Sequence, residues 1–427
     1  MVLARGLLGI VGLLGVAWLL SSGRRRFPWK TVSVGLALQW LLGLLILRTS
    51  PGRAFFDGIG RIVAVVLHGA DEGARFVFGP LAGGHPDVPW PAIAGIKIMT
   101  TIIVVATLSM MGYHYGILQR IVSGMAWVMR RAMGISGAES LACAANVFLG
   151  QTEAPLLVRP YISKMTRSEL MALMTGGFAT IAAGVMAVYV GMLGGGDSAR
   201  GLLMTRHLLT ASLMSAPAAL MMAKIMVPER DTPLTSGGTR VVLERDTASL
   251  LDAITRGASQ GMTLAINVIA MLLAFIALIA VLDAGLVAIG RLSFVAPALA
   301  RLGLAQLDLN GILGLLFSPV AWILGVDGTD CRLFGGILGK AMATNEMVAY
   351  GSLTEIVRVG GMSERSIIMA TYSICGFANF SSIGIQIGGI GSMAPERRAD
   401  LVRLGPRAML GGAMASWCTG CIAGVLA

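Results

Sequence analysis

Two acidic residues stand in apolar surroundings in the sequence and have amide and hydroxyl side chains beside them. Gln151, Thr152 and Glu153 are consecutive, Pro155 follows them, and Glu346 lies in a second apolar stretch. Inserting a carboxylate at membrane depth costs about 2.5–3.5 kcal/mol even on lenient insertion scales, so we expect both glutamates to have a partner or a function. Three consecutive side chains reach one cavity only where a helix is unwound, and Pro155, which lacks a backbone donor and fixes its own φ, enforces this. The pattern predicts a hairpin tip that presents these groups to one ligand.

A third stretch adds hydrogen-bonding groups, because Asn379, Ser381 and Ser382 come shortly after Phe377. No arginine or lysine fork stands beside these groups to hold a phosphate or a carboxylate. Carboxylates that accept hydrogen bonds suit ring N–H groups and sugar hydroxyls, and Phe178 and Phe377 offer aromatic faces. The mixture predicts a neutral ligand with one flat ring and one polyol part.

A structural interpretation of the same residues remains open. Glu153 and Glu346 can each be a partner of Lys340 or of a helix end, and a phenylalanine on a membrane helix is usually part of the core. The consecutive polar side chains at 151–153, and the position of Phe377 beside a helix break, favour a binding site.

The elements that must position these residues are those of a membrane protein. The chain of 427 residues is 56% hydrophobic and 13% charged, with a mean hydropathy of +0.79. A globular protein carries about 25% charged residues, so an ordinary soluble enzyme is excluded. The net charge of +11 comes from basic clusters between apolar runs, which indicate topology and imply no nucleic-acid partner. Apolar runs of about 20 residues predict eight transmembrane helices, at 3–20, 31–47, 94–112, 170–193, 202–226, 261–288, 366–390 and 408–427.

The remaining segments connect or interrupt these helices. Residues 138–163 and 311–350 are apolar but rich in Gly, Pro, Asn, Gln and Glu, and predict two re-entrant helical hairpins. Residues 113–131 predict an interfacial helix, with apolar residues at helical spacing and flanking arginines. Residues 49–91 predict a structural outside loop, and residues 228–261 a solvated inside connector with one amphipathic stretch.

The distribution of basic residues predicts the orientation of the chain. When the N-terminus is taken as external, most of the 33 lysines and arginines fall in intracellular segments, as the positive-inside rule requires. Both termini are therefore predicted outside. Arg5 before an apolar core is also compatible with a signal peptide, but the cluster Arg24–Arg26 favours a retained helix.

The two irregular regions form an internal repeat. Each contains an acidic tip, then a Met-Thr or Met-Ser step, then a Gly-Phe-Ala-polar segment, in the pairs 151–154 with 344–347, 165–169 with 362–366, and 177–180 with 376–379. Three predicted spans separate the hairpins, and three is odd, so the second hairpin enters from the opposite face. Inverted repeats with broken helices are typical of secondary transporters. The repeat predicts an alternating-access carrier.

These segments resemble a known family. GQTEAPL at 150–156, NEMVAY at 345–350 and GFANFSSI at 376–383 are similar to motifs of concentrative nucleoside transporters. The resemblance extends in order from about Ser136 to the C-terminus, and the three amino-terminal helices fit the compact bacterial form. It implies ion-coupled symport of nucleosides into the cell, scaffold and transport domains, a homotrimer, and the plasma (inner) membrane of a bacterium.

The resemblance also divides the chain. Residues 1–135 would form scaffold helices 1–3 and the interfacial helix, and residues 136–227 the first repeat, with hairpin 1, broken helix 4 and helix 5. Residues 228–300 would form the connector and scaffold helix 6. Residues 301–427 would form the second repeat, with hairpin 2, broken helix 7 and helix 8.

Roles for individual residues follow from the same resemblance. The residues implied to bind the nucleobase are Gln151, Thr152 and Glu153, with Val185 and Phe377 packing on the ring. The residues implied to bind the ribose are Glu346, Asn379 and Ser382. The oxygens implied to bind the coupling ion, Na⁺, are the side chains of Asn146 and Thr180 and the carbonyls of Leu149 and Ile181. Hard oxygen ligands suit this ion.

Two departures from the family pattern keep an alternative open. Met347 stands where the family usually has Phe, and Thr180 stands where Ser is common. Some members couple to protons instead, so a proton-coupled symporter is the alternative. An intramembrane enzyme with an acid/base pair of glutamates is more remote, because the chain has no HExxH or GxSxG motif. A passive channel is equally remote, and the preference for purine or pyrimidine nucleosides is not determined.

Overall fold

The computed structural model describes residues 2–83, 93–195, 197–236, 247–302 and 304–427. Parts of the predicted outside loop and connector, at 84–91 and 237–246, lie outside these residues. Within the described ranges all regular elements are helical. The α-helices are α1 (Val2–Leu19), α2 (Trp29–Arg48), α3 (Ser50–Phe78), α4 (Ala94–His114), α5 (Ile117–Met133), α6 (Gly137–Asn146), α7 (Arg159–Ile162), α8 (Arg167–Ala179), α9 (Ala183–Gly194), α10 (Ser198–Met226), α11 (Leu250–Gly290), α12 (Ala296–Arg301), α13 (Leu309–Ile323), α14 (Cys331–Ala343), α15 (Glu346–Arg358), α16 (Glu364–Ser373), α17 (Phe380–Met393) and α18 (Arg398–Leu426). Short 3₁₀ segments lie at Gly79–Ala82, Ala154–Val158 and Pro395–Arg397.

The described residues contain six helical segments long and apolar enough to cross a membrane, at Trp29–Arg48, Ala94–His114, Arg167–Gly194, Ala199–Met226, Leu250–Gly290 and Pro395–Leu426. Two of the eight predicted spans are not among them. The first coincides with Ala4–Leu19, which is apolar but shorter. The other, 366–390, is divided between α16 and α17.

Two helices are interrupted where the sequence repeat places Gly-Phe-Ala. The first ends at Ala179, and the extended backbone of Thr180 and Ala182 precedes α9. The second ends at Ser373, and Asn379, also extended, caps α17 by accepting a hydrogen bond from Ser382 N–H at 2.9 Å. Each break therefore leaves helix ends inside the chain, whose end groups need partners other than their own helix.

Two helix–turn–helix segments flank these breaks. The first runs from α6 through the polar tip to α7, within the predicted range 138–163. In the second, Glu346 begins α15 directly after α14, so the segment with the acidic tip is Cys331–Arg358. The predicted range 311–350 begins within the apolar helix α13 and ends within α15, so it contains the tip but not the whole of α15.

Two predicted connecting segments contain long helices. The predicted outside loop holds the 29-residue α3, which Thr49 caps by accepting from Gly52 N–H at 3.1 Å, with Pro51 in its first turn. Helix α11 has 41 residues and begins well before the predicted position 261, because Ser249 caps it by accepting from Asp252 N–H at 3.2 Å. Helix α5, at Ile117–Met133, agrees with the helix predicted at 113–131 to within a few residues.

The core lies where α8, α10, α16 and α18 pack together. Most of α18 is buried, and glycines allow its close approach, since a Cβ at Gly412 would collide with the Phe178 side chain. A Cβ at Gly376 would likewise collide with the carbonyl of Phe178. The two helix breaks therefore cross in direct contact, with α18 behind them.

Candidate functional site

Glu346 is the buried acidic centre of the site. It lies in the first turn of α15, and 7% of its surface is exposed. Its carboxylate accepts hydrogen bonds from the hydroxyl of Tyr189 and the amide of Asn379, each at 3.0 Å. The alternative pairing with Lys340 is not observed, because the Lys340 ammonium donates to Ser352 Oγ at 3.0 Å.

A chain of hydrogen bonds runs from Glu346 to the first hairpin. Asn379 donates to Glu346 through Nδ2 and accepts through Oδ1 from Ser382 N–H. The Ser382 hydroxyl then accepts from Gln151 Nε2 at 3.1 Å, and Gln386 Nε2 donates to Gln151 Oε1 at 3.1 Å. Both hairpins and the second helix break are thus joined by one buried polar network.

The other residues predicted to bind the ligand differ in how deeply they are buried. Val185 is buried in the first turns of α9, and Phe377 is half-buried in the second break. Thr152 is also half-buried, and its methyl group is close to Gly389, where a Cβ would approach it to 2.9 Å. Phe178, in contrast, is completely buried and forms part of the core, so it offers no face to a ligand.

Glu153 does not join the network. Its carboxylate turns back to accept the backbone N–H of Gly150 and lines a separate cavity of about 680 Å³. The opposite wall of that cavity comes from α4 and α11, and includes Ser109 and Gln260. At the tip of the first hairpin, Gln151 therefore faces the second break, whereas Glu153 faces the cavity.

The four residues predicted to bind a cation lie where two helices end. Asn146 ends α6, and Thr180 follows the end of α8. Both amide atoms of Asn146 are buried and have no hydrogen-bond partner among the described residues. The carboxyl ends of helices carry partial negative charge, so an unpaired amide oxygen at this position suits a cation. The Leu149 and Ile181 carbonyls lie on the adjoining non-helical segments, which are joined by a hydrogen bond from Ala183 N–H to the Phe148 carbonyl at 3.1 Å.

Three residues of the site were not found from the sequence. Tyr189 holds Glu346 and stacks on Tyr350 with ring centroids 4.1 Å apart. Gln386 joins Gln151 to the Met174 carbonyl. The Ser416 hydroxyl bridges the two breaks, bonding the carbonyls of Ala179 and Cys375 at 3.3 and 3.4 Å. Each is a polar residue with an apolar residue on either side in the sequence, and that was the only available signal.

Both hairpins are fastened at their bases to the broken helix of their own repeat. Ser136 begins the first hairpin and donates to Glu169, the capping glutamate of α8. Asp330 begins the second and accepts from the Ser363 hydroxyl at 2.7 Å, and Ser363 caps α16. These contacts explain the repeated Met-Thr and Met-Ser steps, which supply a capping residue in each half.

Buried polar groups at the crossing of two broken helices, in a chain with several apolar helices, characterise a membrane transporter. Three family models match successive parts of the chain. They are described as Na⁺ dependent nucleoside transporter N-terminus at residues 8–81, nucleoside recognition at 95–196, and Na⁺ dependent nucleoside transporter C-terminus at 207–424. The chain belongs to the Na⁺-dependent nucleoside transporter family. This is a family of transporters and not of enzymes.

Relatives and solved structures agree with this assignment. The chain is 39% identical to an uncharacterized transporter of Haemophilus influenzae, over 98% of this chain and 96% of the relative. It is also 39% identical to solute carrier family 28 member 3 of mouse, over 98% of this chain but only 58% of that longer protein. A structure of CNTnw in an inward-facing, substrate-bound state matches with a TM-score of 0.88 and 34% sequence identity. A structure of a CNTnw variant in an outward-facing state matches with a TM-score of 0.90 and 33% sequence identity. Both matches cover 100% of this chain and 98% of the other chain.

Proposed function

We propose that this protein is a secondary active symporter that moves nucleosides into the cell by alternating access, coupled to Na⁺. The observation that carries the proposal is the network from Glu346 through Asn379 and Ser382 to Gln151, at the crossing of two broken helices. A ligand that contacts all four would hold both hairpins at once. The similarity to CNTnw in inward- and outward-facing states supports alternating access.

The network suits a ribose at its acidic end. Glu346 and Asn379 offer a carboxylate and an amide that can bind vicinal hydroxyls, and Ser382 adds a hydroxyl. The nucleobase would then extend towards Gln151 and Thr152, with Val185 and Phe377 packing on its faces. Glu153, on the cavity side of the same tip, would complete the base site once the hairpin tip moves.

Sodium is the coupling ion that the arrangement favours. The unpaired amide of Asn146 and the hydroxyl of Thr180, with the Leu149 and Ile181 carbonyls, form a set of oxygen ligands at two helix ends. A cation there would tie the first hairpin to the first break. Na⁺ and nucleoside would then each strengthen the binding of the other by the same factor.

Proton coupling is the second candidate, and one observation favours it. Neither Glu153 nor Glu346 forms an ion pair with a lysine or arginine in the part of the chain that the structure describes. Glu346 is buried, and a buried carboxylate without a cationic partner is a group that can carry a proton through the membrane.

The membrane arrangement is part of the same proposal. Eight transmembrane helices result when Ala4–Leu19 and the pair α16 and α17 are added to the six long apolar segments, with α6–α7 and α14–α15 as re-entrant hairpins. Residues 1–135 and 228–300 would form the scaffold, and residues 136–227 and 301–427 the transport domain. We propose a homotrimer in a bacterial plasma membrane with both termini outside.

Uptake into proteoliposomes tests the proposal. Labelled uridine and adenosine are offered with an inward Na⁺ gradient, with an inward proton gradient and no sodium, and with no gradient. Accumulation of unmodified nucleoside only with sodium is expected. Accumulation on the proton gradient alone would replace Na⁺ by H⁺, and equilibration without accumulation under every condition would refute active transport.

A further inference from the structure

A second cavity, of about 590 Å³, lies away from the nucleoside site. It is formed where the chain enters α2, where α5 ends, and where the first hairpin begins. Arg26 and Lys30 line it from the α2 side, and Arg130 and Arg131 line it from the end of α5. None of the residues assigned above to nucleoside or sodium lies in its lining, so the proposed transport function does not use it.

The cavity has an excess of positive charge. Lys224, in its wall, is neutralised by Glu139 at 2.7 Å and Glu229 at 3.3 Å. The remaining four basic side chains form no ion pair with any carboxylate of the described residues. Five basic side chains and two carboxylates line the concavity, so three positive charges are in excess, and this excess produces a potential that attracts an anion.

The end of α5 gathers part of this positive charge. Arg130 and Arg131 are in the last turn of α5, where cations complement the partial negative charge of the helix end. Lys30 is in the first turn of α2, where the helix end is partially positive and a cation is unfavourable. Its ammonium instead lies beside Gly134, the residue at which α5 ends, so the basic groups of the two sides come together at one place in the cavity.

The neighbouring surface indicates what carries the anion. Trp29 precedes Lys30 directly and Trp127 lies three residues before Arg130; they are 75% and 60% exposed, and the Phe27 and Trp29 ring centroids are 4.6 Å apart. Exposed tryptophans of membrane proteins lie at the headgroup level. Farther along α2, Leu41 and Leu45 are exposed and offer an apolar surface to hydrocarbon.

We propose that this cavity binds the phosphate headgroup of an anionic phospholipid, with the acyl chains lying along the outer face of α2. The phosphate would bridge Arg26 and Lys30 to Arg130 and Arg131. Since Ser136 and Glu139 of the first hairpin also line the cavity, the lipid would connect the start of the chain to the base of that hairpin. This last consequence rests on the proposed division into scaffold and transport domains, whereas the binding itself does not.

Lipid binding can be measured on the full-length protein in detergent without any nucleoside. Thermal unfolding is followed while phosphatidylglycerol or phosphatidylcholine is added, and apparent affinity is taken from the concentration dependence of the shift. The wild type is compared with Arg26→Gln/Arg130→Gln. The matched control is Arg25→Gln/Arg120→Gln, which removes two charges from exposed positions outside the cavity lining.

Phosphatidylglycerol is expected to raise the unfolding temperature of the wild type and of the control, and phosphatidylcholine is not. The cavity variant should bind phosphatidylglycerol roughly thirtyfold more weakly, since each basic residue near an anionic surface contributes about 1 kcal/mol. Arg26→Lys/Arg130→Lys should bind like the wild type, which separates lost charge from a folding defect.

Two results would overturn the proposal. Equal responses of the cavity variant and the control to phosphatidylglycerol would show that the effect is general surface attraction. Inorganic phosphate or a soluble glycerophosphate that gives the full shift at the same concentration would assign the cavity to a soluble phosphate compound and not to a lipid. Uptake assays then show separately whether transport depends on the lipid.

Discussion

Replacing Glu346 by glutamine removes one charge and keeps the shape of the side chain. In the structure the carboxylate accepts from Tyr189 OH and Asn379 Nδ2, both at 3.0 Å. A glutamine can keep both contacts, with its oxygen accepting from Asn379 and its amide donating to the tyrosine oxygen. The fold around the site should therefore survive, and the loss should fall on the ligand.

The size of the loss follows from the type of hydrogen bond. A bond to a charged group contributes about 1.5–3 kcal/mol, and a bond between neutral groups about 0.5–1.5 kcal/mol. If one ribose hydroxyl donates to Glu346, the substitution costs about 1–2 kcal/mol, which weakens nucleoside binding about five- to thirtyfold. A second hydroxyl on the same carboxylate would roughly square that factor.

The assay is nucleoside binding to the purified protein, with uptake in proteoliposomes beside it. Uridine, 2′-deoxyuridine and 3′-deoxyuridine are compared on wild type and Glu346→Gln. The analogue that lacks the contacted hydroxyl should bind the two proteins almost equally, because its contact is already absent. Glu355→Gln is the matched control, since Glu355 lies on the same helix but is exposed and pairs only with Arg358 at 2.6 Å.

Wild-type affinity for uridine in Glu346→Gln would refute the assignment of the ribose to this carboxylate. The same conclusion would follow if the mutation weakened uridine and both deoxy analogues by one common factor. That outcome would indicate a disturbed hairpin, and the unfolding temperature of the variant would then fall as well.

Three further substitutions test other parts of the site. Asn146→Ala is expected to raise the sodium concentration for half-maximal uptake about tenfold, or about 1.4 kcal/mol, and unchanged sodium dependence would remove Asn146 from the ion site. Gln386→Ala leaves Gln151 without one of its partners, and should alter the ranking of purine against pyrimidine nucleosides; an equal loss for all nucleosides would contradict this. Ser416→Ala removes the hydroxyl between the two breaks and should lower the free energy of unfolding by about 1–3 kcal/mol. The control Thr419→Val loses a bond within its own helix and should lower the free energy of unfolding less. Equal losses in the two variants would refute the bridging role of Ser416.

The helix breaks were predictable because several local signals coincide there. Gly376, Phe377 and Asn379 combine a flexible residue with a capping residue, and the same order occurs in the other half of the chain. Such signals lie in consecutive residues, so they are visible without knowledge of the fold. The tip at 151–153 was found for the same reason.

The partners of those residues were not predictable, because they come from distant elements. Tyr189 reaches Glu346 across 157 positions, and Gln386 reaches Gln151 across 235. Each stands between two apolar residues, with no spacing in the sequence that relates it to its partner. Only the crossing of the two breaks brings them together.

Some predicted helix boundaries outside the site differ from the observed ones for another reason. An apolar run predicts that a helix exists but does not give its ends, so the predicted range 311–350 begins within α13 and ends within α15. Helix α3 was interpreted as a loop because its charged residues, such as Glu72 and Arg75, lower its hydropathy below that of a membrane span.

The two kinds of contact at the hairpins have different consequences for movement. At the bases, Ser136 with Glu169 and Asp330 with Ser363 join each hairpin to a helix of its own repeat. At the tips, the bond from Gln151 to Ser382 joins one repeat to the other. A ligand at the tips competes only with the bond between the repeats. Its hydroxyls and ring N–H groups can replace the hydrogen-bond donors that one repeat supplies to the other. Nucleoside binding should therefore change the relation between the two halves while each hairpin stays fixed at its base, which is the separation of rigid and exchangeable contacts that an alternating-access carrier requires.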